Sequence, residues 1–291
     1  MDCREKQTDI RDKKSLSGQE IMDLNFINDA GPYRFRKFYR SGLRSHIFEV
    51  LSHEAMKREL SGIVKDGVKF FPRAKPKKIF RIFRNRFSET GQIFDEIKKY
   101  KILLNRLGPE MIARSEEFIV DYTHNGKKHI LLCGLQEYID GEILDPWKIV
   151  DSKFLENLFY TTYKIGNNTD KILARARKNI RLFTKRIRKM ILTDRYIPDL
   201  AGVGNLVLTP AGSVQLVDIN NIVPVEFNGI VSVDDRGYPS CDVSVHVLFI
   251  LEGLLLSHSP GKEDPIYREF MSPRRKKKVK SLERKFYERL K

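Results

Sequence analysis

The sequence predicts an α+β protein in two unequal parts, a smaller one rich in strands followed by a mainly helical one. Three patterns carry this expectation. Between residues 56 and 140, short alternating or aliphatic runs are bounded by Gly, Pro and Asn, as in strands joined by tight turns. Between 141 and 270, apolar residues recur at threes and fours over long stretches, as on helices buried along one face. The chain has 291 residues, of which 41% are hydrophobic and 32% charged, so it can bury a substantial core and is not composed like a disordered segment. Residues 1–55 read as an N-terminal extension and 271–291 as a basic C-terminal tail.

In chain order, residues 1 to about 30 are polar, without a durable period, and read as a loose arm. From Tyr33 to Tyr39 aromatics and bases interleave, the pattern of a strand or helix edge with snorkelling bases, and Ile47–Leu51 adds an apolar segment. Gly62 and Gly67 bracket a short loop. Glycine there lets backbone N–H groups approach a phosphate, and an Asp66-Gly67 hairpin accounts for the same residues. After a turn at Pro72–Pro76, Lys77–Arg84 alternates as a strand. A helix follows: Ser88 to Gly91 offer N-caps, Ile93, Phe94, Ile97, Tyr100, Leu103, Leu104 and Leu107 recur at threes and fours, and Gly108-Pro109 ends it. Glu96 borders that apolar side, within reach of Lys99. Phe118–Tyr122 and His129–Leu135 read as an antiparallel pair around Asn125-Gly126, running on into Glu137 and Tyr138.

Leu155 to Ile191 reads as helical, with Ile172, Ala176, Ile180, Phe183, Ile187 and Ile191 on one face and bases covering the rest. The most informative segment comes next, Ile197-Pro198-Asp199-Leu200-Ala201-Gly202-Val203-Gly204-Asn205. Two short runs, Leu206–Leu208 and Val214–Val217, flank Thr209-Pro210-Ala211-Gly212 and predict a hairpin whose open end brings Asn205 beside Asp218. An acid, an amide and a second acid are thereby gathered. Asp242–Glu252 reads as the start of an apolar core helix.

The net charge is +16, and the bases are concentrated. Lys65–Lys101 has twelve Lys/Arg against four acids, Arg175–Lys189 has eight bases in fifteen positions, and Arg274–Lys280 has six in seven. Such fields attract polyanions: nucleotides, anionic membrane surfaces, phosphorylated sugars or, on charge alone, nucleic acid. Cys3, Cys133 and Cys241 have no metal-ligand spacing and suit reduced thiols. The charged start, Met1–Lys6, lacks the apolar heart of a signal peptide, and no apolar run reaches membrane-spanning length. The expected location is the cytoplasm, with peripheral attachment to the inner membrane face as an extension of the charge pattern.

The order of these elements resembles the protein-kinase superfamily over residues 56 to 258. The loop Asp199–Asn205 resembles the catalytic loop, and Asp218 in Leu216-Val217-Asp218-Ile219-Asn220 resembles the metal-binding acid after it. The resemblance implies a two-lobed fold binding ATP and Mg²⁺, with Asp199 as catalytic base and Asn205 and Asp218 as metal ligands. It further implies that Gly62 and Gly67 cover the phosphates, that Lys69, Lys78 or Arg81 fills the phosphate-gripping position of the third strand, and that Glu96 pairs with that base. Glu137 and Tyr138 would belong to the adenine-holding hinge, and Asp242 would brace the catalytic loop. The chain departs from the pattern in having Ile-Pro-Asp for His-Arg-Asp, one extra residue between Asp199 and Asn205, and Asp-Ile-Asn for Asp-Phe-Gly. No Ala-Pro-Glu follows, which points to a small-molecule or lipopolysaccharide-type acceptor over a regulated protein kinase. Two other classes remain open: a pseudokinase scaffold that binds nucleotide without turnover, and a basic nucleic-acid-binding protein.

Overall fold

The computed structural model describes residues 8–27, 30–38, 42, 44–163, 168–256 and 264–289. The protein is α+β and divides into two compact units, Met1–Ile97 with Arg114–Tyr138, and Lys98–Ala113 with Ile139–Lys291.

The first unit is built on a five-stranded sheet. Along the chain come α1 (Gly18–Met22), β1 (Tyr33–Lys37), β2 (Ser45–Ser52), α2 (His53–Ser61), β3 (Ile63–Lys65), β4 (Val68–Phe70) and β5 (Lys78–Phe83). Helix α3 (Thr90–Leu107) follows, then β6 (Ser115–His124) and β7 (Lys127–Glu137). The sheet order is β1-β2-β5-β7-β6, and every pairing in it is antiparallel. The turn between β6 and β7 is made by Asn125 and Gly126, with φ of 49° and 73°. That is the left-handed pair a two-residue type I′ hairpin requires.

Alternation assigns each face of this sheet. Phe48, Val50, Phe80, Ile82, Leu131 and Cys133 point to one side, where Ile10, Leu16, Ile21 and Leu24 cover them. Phe83 and Leu132 point to the other, under Ile93 of α3. The segment expected to be a loose arm is therefore packed from Ile10 onward. Its short helix carries a full capping box, with Ser17 accepting from the Glu20 N–H and Glu20 accepting from the Ser17 N–H. A polar composition concealed this, because four apolar side chains suffice to seat a short segment on a sheet that is already formed. Likewise the expected boundary at residue 55 does not separate an extension from a domain, since β1 and β2 belong to the same sheet as β5.

The second unit surrounds one large core. The later part of α3 contributes Leu103 and Leu107. After β8 (Glu142–Ile143) and α4 (Phe154–Asn157), a π-helical turn covers Leu158–Thr162, and α5 (Thr169–Asp194) follows. The expected continuous helix from Leu155 to Ile191 is thus interrupted, and residues 164–167 lie outside the described residues. Of the anticipated α5 stripe, Ala176, Ile180, Phe183, Ile187 and Ile191 are buried, while Ile172 is only partly buried and its neighbour Leu173 is buried instead. Then come β9 (Tyr196–Pro198), β10 (Leu206–Leu208), β11 (Val214–Leu216), β12 (Ile222–Pro224), α6 (Ser240–Ile250), α7 (Pro265–Phe270) and α8 (Pro273–Arg289). Strand β10 pairs with β11 and β8, and β9 pairs with β12.

The basic tail is a helix of this unit. In α8 the Arg275 side chain is 5% exposed and donates to Asp242 at 2.5 and 3.2 Å, while Phe286 packs on Tyr238. Arg275 is the one base of the six in Arg274–Lys280 that faces inward, because burial pairs it with a carboxylate.

Candidate functional site

The loop from Asp199 to Asn205 is held by the two strand pairs on either side of it. In the β9–β12 ladder Pro198 faces Ile222, so the next residues, Asp199 and Asn221, fall opposite each other. The Asp199 N–H donates to the Asn221 carbonyl at 2.8 Å, and the Asn221 side-chain amide donates to Asp199 Oδ2 at 2.9 Å. The other carboxylate oxygen accepts from the Ala201 N–H at 2.9 Å. Both oxygens of Asp199 are therefore directed, and the residue is half-buried.

Asn205 is tied to the same residue from the far end of the loop. Its Nδ2 donates to the Asp199 carbonyl at 2.9 Å, which leaves the amide oxygen as the atom suited to a cation. A β-carbon on Gly202 would lie 2.5–2.8 Å from the Asn205 amide, so only glycine admits the side chain there. In the β10–β11 hairpin Leu206 faces Leu216, and the Val217 N–H donates to the Asn205 carbonyl at 2.8 Å. Asp218 follows directly and is half-buried. The three residues singled out from sequence, Asp199, Asn205 and Asp218, are brought together within one unit.

Further supports were not legible in the sequence. The Leu200 N–H donates to Ser244 Oγ at 3.0 Å, and Trp147 Nε1 donates to the Ala201 carbonyl at 3.2 Å. The expectation that Asp242 would brace this loop is corrected: Ser244, two residues on, makes the contact, and Asp242 instead pairs with Arg275. Burial raises the Asp242 carboxyl above its usual range, while the Arg275 guanidinium opposes the rise. An acid near the start of α6 looks the same in sequence whichever neighbour it meets; only the turn of the helix decides.

In the first unit, Arg81 of β5 is 6% exposed, at the polar end of the face that α3 covers. It lies opposite Gly134, and Gly134 lies opposite Glu117. With no side chain between them, Arg81 Nη2 reaches Glu117 Oε1 at 2.5 Å across the intervening strand, and Ser115 Oγ joins both at 3.1 and 2.7 Å. A β-carbon on Gly134 would come within 2.8–2.9 Å of both charged groups, so the glycine is what permits the pair. Glu117 is a carboxylate partner of Arg81 that the sequence did not single out. Glu96 is half-buried on α3. Nearby on the same face, Arg36 is held by the buried Glu49 and by Glu59, the latter at 2.5 Å.

The remaining candidates are placed as follows. Gly62 and Gly67 shape the β3–β4 hairpin, a two-stranded sheet separate from the main one. The Asp66-Gly67 turn has φ of 49° and 74°, so the hairpin alternative is the one found. Lys69 is exposed on this hairpin, its ammonium 5.3 Å from the centre of the Phe71 ring. Lys78 is half-buried at the start of β5. Glu137 ends β7, and its carboxylate meets Arg114 at 3.1 Å; Tyr138 follows it. A surface hollow of about 550 Å³ lined by Asp194, Tyr196 and Glu226 lies at the end of β9–β12 away from Asp199 and contains none of these residues.

Among the described residues no cluster of three or more His, Cys, Asp or Glu side chains is placed to hold a metal ion. Any cation at the loop would depend on Asp218 together with the Asn205 amide. Compared with known proteins, the chain matches no family model and no curated protein.

Proposed function

We propose that this protein is a kinase-like phosphotransferase using ATP and Mg²⁺, with Asp199 directing the acceptor hydroxyl. The observation that carries the reading is the closed hydrogen-bond circuit around the loop: Asn221 to the Asp199 carboxylate, the Asn205 amide to the Asp199 carbonyl, and Val217 to the Asn205 carbonyl. This circuit holds the Asp199 carboxylate and the Asn205 amide together and fixes the backbone of Val217, which Asp218 follows. Such a donor set fits Mg²⁺, which takes hard oxygen ligands from one or two protein groups and the rest from water and phosphate. Asn205 and Asp218 would hold the ion, which when bound neutralises charge on the transferred phosphoryl group. Asp199, with both oxygens directed by hydrogen bonds from Ala201 and Asn221, would orient a substrate hydroxyl and take its proton.

The first unit supports the two-lobed reading. Strand β5 is third in chain order within the main sheet, the position of the lysine-bearing strand in protein kinases, and it carries Arg81 there.

The pseudokinase reading draws on one specific observation: Arg81 is engaged by Glu117 in a buried pair, and a forked guanidinium is not equivalent to a lysine ammonium. Thermal unfolding with and without Mg-ATP tests both. Binding at about 100 times Kd stabilises the folded state by about 2.7 kcal/mol. Asp218→Ala is expected to remove the metal-dependent part of that shift while leaving the unliganded protein folded. Asp199→Asn is expected to keep the shift and lower phosphoryl transfer by about two orders of magnitude or more. Binding without turnover in the parent, over a broad panel of hydroxyl acceptors, selects the pseudokinase. An Asp218→Ala protein that retains the full shift overturns the metal assignment.

A further inference from the structure

Strands β3 and β4 form a two-stranded sheet on their own, and all six of their residues are exposed. Those residues are largely apolar. Leu60, Ile63, Val64, Val68, Phe70 and Phe71 are 70, 42, 73, 55, 48 and 60% exposed, six large apolar side chains within twelve positions. Single exposed hydrophobics are ordinary, but a continuous group on one protrusion marks an interaction surface.

The register says what kind of surface this is. Ile63 faces Phe70 and Lys65 faces Val68, so these four share one face; Val64 faces Lys69 on the other, and Phe71, two residues past Lys69, continues that side. Apolar side chains therefore emerge on both faces of a single layer. A lipid interface can surround both faces of such a layer at once. Charge narrows the occupant further. Between Lys57 and Lys78 the chain has eight Lys/Arg against Glu59 and Asp66, and Glu59 is already bound to Arg36. A second copy of this chain, with a net charge of +16, would be repelled by that surface. Lys69 lies over the Phe71 ring, so its stem and the aromatic form one amphipathic unit with the ammonium at the rim.

We propose that the β3–β4 hairpin is a membrane-docking element that seats its apolar side chains in the interfacial region of an anionic phospholipid bilayer, with Lys65 and Lys69 on the headgroups. Apolar burial and attraction to anionic lipid add together at such a site, and neither alone holds a protein durably. Docking through this hairpin does not depend on the reading of the Asp199 loop.

Flotation of the full chain with vesicles of phosphatidylcholine and phosphatidylglycerol in equal parts tests the proposal, with pure phosphatidylcholine vesicles as reference. The parent is expected to float with the anionic vesicles and not with the neutral ones. Phe70→Ser with Phe71→Ser is expected to weaken binding about tenfold or more at low and at high salt, since it removes apolar contact. Lys65→Gln with Lys69→Gln is expected to weaken it at low salt only, since screening removes that contribution anyway. Because these side chains are exposed, the circular dichroism and thermal midpoint of both variants should equal the parent's. Parent protein that does not float, that floats equally with neutral vesicles, or that is unaffected by the Phe70/Phe71 substitution overturns the proposal. So does a concentration-dependent dimer lost in that variant, which would assign the surface to a second copy, or displacement from the vesicles by duplex nucleic acid.

Discussion

Gly202 shows how much of the candidate site rests on a single absent atom. Its missing β-carbon is the space that the Asn205 amide occupies, and that position is what sets the amide against the Asp199 carbonyl. Gly202→Ala should displace the amide and lose that hydrogen bond, costing about 1 kcal/mol of stability. Misplacing a group that orients a metal site costs about 10–100-fold in affinity. The expected outcome is a protein that melts near the parent's midpoint but needs about ten times more Mg²⁺ for the same nucleotide-dependent shift, checked by titrating Mg²⁺ at fixed ATP. Gly134 works by the same physics in the other unit, where the space left by a side chain is filled by Arg81 and Glu117. Glycine spacing in a sequence does not announce either role, because the neighbour that needs the space comes from a different strand or the far side of a loop.

At the scale of elements, the N-terminal segment is the one whose attachment depends on protonation. His46 of β2 is 5% exposed, with Nε2 2.7 Å from the Ile10 carbonyl and Nδ1 3.3 Å from Arg84 Nη2. A neutral ring donating from Nε2 and accepting at Nδ1 satisfies both partners. Burial pushes this histidine down, with Arg84 and Lys37 adding to the effect and the Ile10 carbonyl opposing it. Glu20 is lowered to about 2, first by its bond from Lys13 and then by the Ser17 N–H. Asp9 is held well below the carboxylate range, as its bonds and attraction to Arg11 outweigh burial. All three folded-state values lie under the unfolded ones, so each contributes stability that is complete above the unfolded pKa and lost as pH falls toward the folded one. For His46 that loss begins below about 6.5, and for Glu20 it runs from about 4.5 down to about 2. Hydrogen exchange of residues 8–27 should therefore accelerate between pH 7 and pH 4 relative to β6 and β7, after correction for intrinsic rates. His46→Gln, which keeps a donor but cannot titrate in this range, should remove the first part of the acceleration.

Across the whole molecule the charge of +16 is partly internal and partly presented to solvent, and α8 contains both kinds. Arg275 is committed to the buried Asp242, so truncating its side chain would leave that carboxylate without its buried partner and cost about 3–5 kcal/mol. Lys277, Lys278 and Lys280 are exposed. Near an anionic surface each contributes about 1 kcal/mol, within a Debye length. Lys277→Glu, Lys278→Glu and Lys280→Glu together should thus reduce binding to anionic vesicles strongly at low salt and little at high salt, with the thermal midpoint unchanged. Equal binding of parent and variant at low salt would confine the membrane contact to the β3–β4 hairpin. Among the described residues no helix is long and apolar enough to cross a membrane.

The sequence by itself determined the local elements and the Asp199 loop. Hairpins at Asn125-Gly126 and between Leu206 and Leu216, the stripe on α5, the stop of α3 at Gly108 and the nearness of Asn205 to Asp218 all follow from contacts a few residues apart. Backbone preference and period encode such contacts directly. What only the tertiary structure decided is which distant groups meet. Glu117 meets Arg81 across Gly134; Ser244 rather than Asp242 steadies Leu200; Asn221 directs Asp199; Arg275 turns inward from a run of bases; and a polar N-terminal segment covers a sheet face. Each of these outcomes depends on strand order, register or helix rotation. A shift of one residue in a strand exchanges its faces, and about 100° of turn per residue in a helix changes the neighbour. Those are properties of the packed whole, so a buried pair and a solvated pair can be written with the same letters.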